Sequence, residues 1–130
     1  MSTWRMSRMF LGSKASIAEA RRFVTYFLKN WPQADTAELI VSELATNAVR
    51  HSDSGRFGGR FVVTLMGNTD IIWLGVQDEG GASTPALSTS APDEEGGHGL
   101  ILVAHLSVAW GVSGTAQGRT VWAVIHPAHR

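Results

Sequence analysis

Apolar residues recur at helical spacing through Ala20, Phe23, Val24, Phe27 and Leu28, which draws one stripe along a helix of 3.6 residues per turn. Ser16-Ile17-Ala18-Glu19 precedes that stripe in capping-box order. In that arrangement the serine oxygen accepts from a backbone N–H and the glutamate reaches back to the cap's own N–H. Pro32 closes the run, because a proline disfavours the α conformation of the residue before it. The pattern predicts a first helix over 16–30. Asp35-Thr36-Ala37-Glu38 repeats the start signal, and Val41, Leu44 and Ala48 carry the apolar line of a second helix ending near Ser52.

The period then changes. After the Gly-rich and polar segment SDSGRFGG, Phe61 to Met66 and Ile71 to Val76 are β-rich runs separated by Gly67-Asn68-Thr69-Asp70, the signature of an antiparallel hairpin. From Glu79 to Gly97 the chain is rich in Gly, Ala, Ser, Thr, Pro and acids. It is too polar and too broken to supply core, and a connection of that length inside a domain is often a functional lid. A short helix is predicted over Gly99–Leu106, followed by strands over 107–112 and 120–125 around a turn at 113–119, with a frayed tail at 127–130. Helix, helix, strand, strand, lid, helix, strand, strand predicts an α+β two-layer sandwich with a mostly antiparallel sheet and helices on one face. No repeat or linker divides the chain. A single domain is expected over 1–130, with its core at about 14–126 and the lid at about 79–98.

Composition narrows the functions this fold can carry. With 44% hydrophobic and 17% charged residues, the chain can bury a real core and is not of disordered type. Eleven basic and eleven acidic residues cancel, which removes the overall positive field of non-specific nucleic-acid binders. The absence of cysteine excludes disulfides, thiol catalysis and thiolate metal sites. The start, MSTWRMSRMFLGSKAS, is basic but lacks the apolar run of a signal peptide, and no later segment has membrane-spanning length. The expectation is a cytoplasmic protein that engages neither membrane nor nucleic acid.

Three segments can carry chemistry. Glu43, Asn47 and His51 stand at successive i, i+4 positions of the second helix, sharing one edge beside its apolar line. Taken alone, that is what any solvated helix face shows. An Asn carbonyl is, however, a hard oxygen ligand suited to Mg²⁺, and a carboxylate one turn earlier can accept a proton in phosphoryl transfer. Asp78-Glu79-Gly80 follows an apolar strand directly, so an acceptor for an exocyclic amine sits where glycine lets the chain turn, although Asp-Gly turns are common everywhere. Gly96-Gly97-His98-Gly99-Leu100 ends the lid and opens a helix, where bare N–H groups and the helix dipole favour an anion.

In order and context these segments resemble the boxes of GHKL-type ATPases. ELATNAVRH resembles the N box, Asp78-x-Gly80 the first glycine box and Gly97-x-Gly99-Leu100 the second. Trp110-Gly111 and Gly118-Arg119-Thr120-Val121-Trp122 extend the similarity to small bacterial anti-sigma factor serine/threonine kinases of the RsbW and SpoIIAB type, over roughly residues 14–126. The resemblance implies a Bergerat-type fold that binds ATP and Mg²⁺. It makes Glu43 the catalytic base, Asn47 the Mg²⁺ ligand and Asp78 the adenine-binding acid. His51, Gly80, Gly97, His98, Gly99 and Leu100 complete the nucleotide-binding set with Asn47 and Asp78. It further implies a homodimer that phosphorylates a STAS-domain anti-anti-sigma factor and otherwise holds a sigma factor inactive. A catalytically weak ATP-binding module that works by sequestration is the alternative.

Several positions depart from that pattern or fall outside it. Ala82 stands where a further glycine often continues the first box. His98 replaces an arginine frequent in related sequences, and Asp93, Glu94 and Glu95 bring negative charge into a lid without Lys or Arg. Gly118-Arg119-Thr120 reads equally as a late phosphate-side contact or as the β-turn that opens the last strand. Arg21 and Arg22 fit either a solvated helix face or an acidic partner. Trp4, Trp31, Trp73, Trp110 and Trp122 read as core or interface anchors, since no basic residues interleave them as in a base-stacking platform.

Overall fold

The hydrophobic pattern does not announce the first element. WRMSRMFL has a single buried side chain, Phe10, yet in the computed structural model it forms a strand, β1 (Trp4–Leu11). The structure describes residues 3–51, 59–80 and 97–126. After β1 come helices α1 (Lys14–Phe27) and α2 (Ala34–His51), strands β2 (Arg60–Gly67) and β3 (Ile72–Asp78), helix α3 (Gly97–Leu106) and strands β4 (Ala109–Thr115) and β5 (Gly118–Ile125). The strands form one sheet in the order β1-β2-β3-β5-β4, and every neighbouring pair is antiparallel. The α+β sandwich read from the sequence is thus the observed architecture, with an edge strand that the sequence reading lacked.

Local boundaries moved where tertiary contacts outweighed local signals. The first helix begins at Lys14 after Ser13, not at a capping box on Ser16. Ser13 makes no side-chain cap bond, and Ser16 is buried in the first turn with its Oγ 3.2 Å from that of Ser13. Strand β1 delivers the chain to that point: the Gly12 N–H donates to Gly59 O at 2.9 Å, continuing the β1–β2 ladder up to the helix. The helix ends at Phe27, ahead of Asn30 in the left-handed region (φ 70°) and of Pro32, as the proline requires. Helix α2 keeps close to its predicted span, with Asp35 in its first turn, where a carboxylate favours the positive end of the helix dipole. The turn expected at 113–119 contracts to Ala116-Gln117, because β4 and β5 pair as far as Thr115 opposite Gly118. Helix α3 starts two residues ahead of Gly99, and most of the expected lid lies outside the described residues.

The core lies between the helices and one sheet face. Phe61, Val63 and Leu65 of β2, Ile72, Leu74 and Val76 of β3, and Val121, Ala123 and Ile125 of β5 are buried on alternate positions, as period-2 geometry requires of one face. Against them pack Ile40, Val41, Leu44, Ala45 and Ala48 of α2, with Ala20 and Val24 of α1 and Leu100 and Val103 of α3 joining the same cluster. Helix α2 is central: it touches α1, α3, β2, β3 and β5. Strand β1 is tied in through Phe10, stacked on Phe61 at 5.4 Å and edge-on to Phe23 of α1 at 6.0 Å. On the opposite sheet face Val62, Thr64, Met66, Trp73, Trp122 and Val124 remain half-buried. There the Trp73 indole lies over Gly75 and that of Trp122 over Gly111, each filling the space a Cβ would need. Trp4, Trp31 and Trp110 instead pack against the core, Trp4 and Trp31 edge-to-face at 5.7 Å.

Candidate functional site

Helix α2 turns Val41, Leu44, Ala45 and Ala48 into the core, which leaves Glu43 and Asn47 one turn apart on the edge beside them. Glu43 is half-buried, whereas Asn47 is only 8% exposed. That value decides against a solvated helix face. A side-chain amide held at the edge of the core can offer its carbonyl oxygen to a ligand. His51 is the last residue of α2; its side chain, like that of His98, lies outside the described residues.

Asp78 is the last residue of β3, on the same inward row as Ile72, Leu74 and Val76, and is 7% exposed. Its Oδ1 accepts the Gly80 N–H at 2.6 Å, an Asx turn. The Asp-Gly turn that the sequence permits is therefore present, but buried at the sheet end. Gly80 sits at φ 80°, and a Cβ there would run into the carbonyl oxygen of Ala116 in the β4–β5 turn. Both the left-handed backbone and the close approach require glycine. Oδ1 of the carboxylate is thereby engaged by the backbone.

Arg119 is the residue that sequence reasoning left out of the site. It stands opposite Asp78 in the β3–β5 register and is 5% exposed. Of the earlier alternatives the structure bears on the turn alone: Gly118-Arg119-Thr120 lies within β5, with Arg119 opposite Asp78, and the turn is at Ala116-Gln117. The alternation Arg119, Val121, Ala123, Ile125, all buried, was the available signal, since it puts the arginine on the inward row.

The third segment opens α3. Gly97, His98 and Gly99 form its first turn, whose N–H groups have no partner within the helix, and such a turn favours an anion. Leu100 is 2% exposed within the core cluster, so it anchors the start of α3. Helix α2 packs on both β3 and α3. The carrier of Glu43 and Asn47 is thereby the neighbour of the carriers of Asp78 and of Gly97–Leu100.

A buried carboxylate, an amide at the edge of the core and a glycine-opened helix start fit a ligand with a hydrogen-bonding base at one end and phosphates at the other. A family model described as histidine kinase-like ATPase domain matches residues 10–125. No curated protein matches the chain.

Proposed function

The chain belongs to the histidine kinase-like ATPase domain family and binds ATP in that capacity; on this footing we propose that it is an anti-sigma factor-type protein serine/threonine kinase. Its substrate is a STAS-domain anti-anti-sigma factor, its second partner a sigma factor, and its working form a homodimer in the cytoplasm. The observation that carries the reading is the placement of a half-buried Glu43 one turn from a buried Asn47, on a helix packed against the strand that ends in Asp78.

In this reading Asp78 accepts the exocyclic amine of adenine, and the first turn of α3 faces the phosphates. Asn47 would hold Mg²⁺ through its carbonyl oxygen, and the metal would supply neutralisation of phosphate charge. Glu43 takes the proton of the partner's serine hydroxyl as its oxygen attacks the γ-phosphorus. The bond to the bridging oxygen breaks and ADP departs. Incubation with Mg²⁺, labelled ATP and a candidate STAS protein is expected to label that protein, and Glu43→Ala is expected to abolish labelling while ATP binding persists. Undiminished transfer by that variant would remove Glu43 as the base.

The acidic run Asp93-Glu94-Glu95, in a segment with no Lys or Arg, supports a second reading, in which the domain binds ATP and regulates by sequestration without turnover, since negative charge brought towards a triphosphate would oppose it. Calorimetric ATP binding combined with no transfer to any STAS partner favours it.

A further inference from the structure

Arg5, Met66 and Trp73 are successive cross-strand partners on β1, β2 and β3. They form one row on the sheet face turned away from the helices. Together with Trp4, Ile71 and Asn68 they border a cavity of about 490 Å³, within the range of roughly 300–1,000 Å³ found for small-molecule sites. The row lies roughly 17 Å along β3 from Asp78, at about 3.4 Å per residue. The cavity is therefore separate from the candidate nucleotide site.

Packing sets its aromatic walls. The Trp4 indole lies over Gly67, where an added Cβ would come within 2.9 Å of the ring, and Trp31 meets it edge-on at 5.7 Å. The Trp73 indole is laid over Gly75 in the same way. Met66 and Ile71 continue the apolar lining. The polar groups beside these rings lean to the donor side. Asn68 Oδ1 accepts from the N–H groups of Asp70 and Ile71 at 2.7 and 3.1 Å, which engages both lone pairs of a carbonyl oxygen; the other group of that amide, Nδ2, is a donor. The Thr3 hydroxyl serves either way. Arg5 is exposed and carries a full positive charge with five N–H donors in a fixed fork. No carboxylate is among the described residues that line the cavity.

We propose that this cavity is a binding site for a small aromatic carboxylate, its ring against Trp73 and Met66 and its carboxylate on Arg5. The charge selects an anion, and the guanidinium fork matches a carboxylate through two parallel hydrogen bonds. The indoles and the methionine sulfur select a flat ring over a saturated one, because ring edges and faces and a polarisable thioether attract one another beyond area burial.

Titration of the ¹⁵N-labelled full chain with 1-naphthoate, 1-naphthamide and cyclohexanecarboxylate, read by ¹⁵N–¹H correlation NMR, tests the assignment. Naphthoate is expected to shift the indole N–H signals of Trp4 and Trp73 and to bind about tenfold or more tightly than the neutral amide, the effect of one charge-assisted hydrogen-bonded pair. It is also expected to bind more tightly than the saturated carboxylate. Arg5→Gln, at an exposed position that tolerates substitution, is expected to bind naphthoate and naphthamide alike. Arg8→Gln removes the other β1 arginine, which lies over the Phe10 ring at 4.6 Å, and is expected to keep the wild-type preference. Equal losses in the two variants would reduce the effect to net charge and overturn the site. Unshifted Trp4 and Trp73 indole signals at millimolar naphthoate overturn it outright. Shifts of those signals with protein concentration alone would show that a second copy closes the cavity, and would overturn it as well. ATP binding is expected to be unchanged in Arg5→Gln, so the nucleotide reading stands or falls separately.

Discussion

Asn47 shows how a single residue separates function from stability. It is 8% exposed on the edge of α2 and stands outside the apolar cluster, so its amide can serve a ligand without being part of the core. Asn47→Ala is expected to change unfolding free energy by less than about 1 kcal/mol in a urea titration, because alanine suits the helix and no member of the apolar cluster is removed. The same substitution is expected to lower ATP affinity about tenfold in Mg²⁺ and to leave it unchanged in EDTA, as calorimetry would read directly. A fall of equal size in EDTA would mean that Asn47 touches the nucleotide rather than the metal. Glu43 and Asn47 were legible in the sequence because i, i+4 spacing fixes a shared helix edge. The place of Arg119 was not, because Gly118-Arg119-Thr120 read equally as the β-turn that opens the last strand, whereas the structure pairs Arg119 with Asp78 and buries it.

Among the elements, α2 and β1 have opposite relations to the sequence. Helix α2 carries its apolar line and its polar edge in one stretch of local pattern, and its span was legible to within a residue or two. Strand β1 has a burial pattern with one buried position among eight, so no alternation marks it. It is held from outside, by its ladder with β2 and by Phe10 between Phe61 and Phe23. Phe10→Ala is accordingly expected to cost about 3–5 kcal/mol in denaturant unfolding, the range for emptying a buried aromatic site. Met9, on the neighbouring outward position and 55% exposed, is expected to tolerate Ser within about 0.5 kcal/mol. Equal effects of the two substitutions would contradict the assigned face of the strand. The misplaced start of α1 has the same origin, since the capping box at Ser16 is a valid local signal that the incoming strand overrides.

Across the whole molecule, the candidate site joins α2, β3 and the start of α3, so a ligand that bridges them stabilises the native state and not the unfolded one. At ATP concentrations near 100 times the dissociation constant, linkage adds about 2.7 kcal/mol, which for a domain of this size is a rise in Tm of roughly 10 °C. Thermal unfolding with Mg²⁺ and ATP is expected to show that rise, EDTA to reduce it and Asp78→Asn to remove it; an unchanged Tm in the wild-type chain would contradict a site that spans these elements. No helix among the described residues is long and apolar enough to cross a membrane. The sequence by itself determined the helices, the hairpins, the α+β class and the three polar segments, because spacing, caps and turn residues act within a few positions of one another. Tertiary structure alone decided that β1 closes one edge of the sheet, that β5 lies between β3 and β4, and that Arg119 therefore meets Asp78. These are pairings between distant parts of the chain. They are fixed by which surfaces bury one another and by register, quantities that local pattern does not contain.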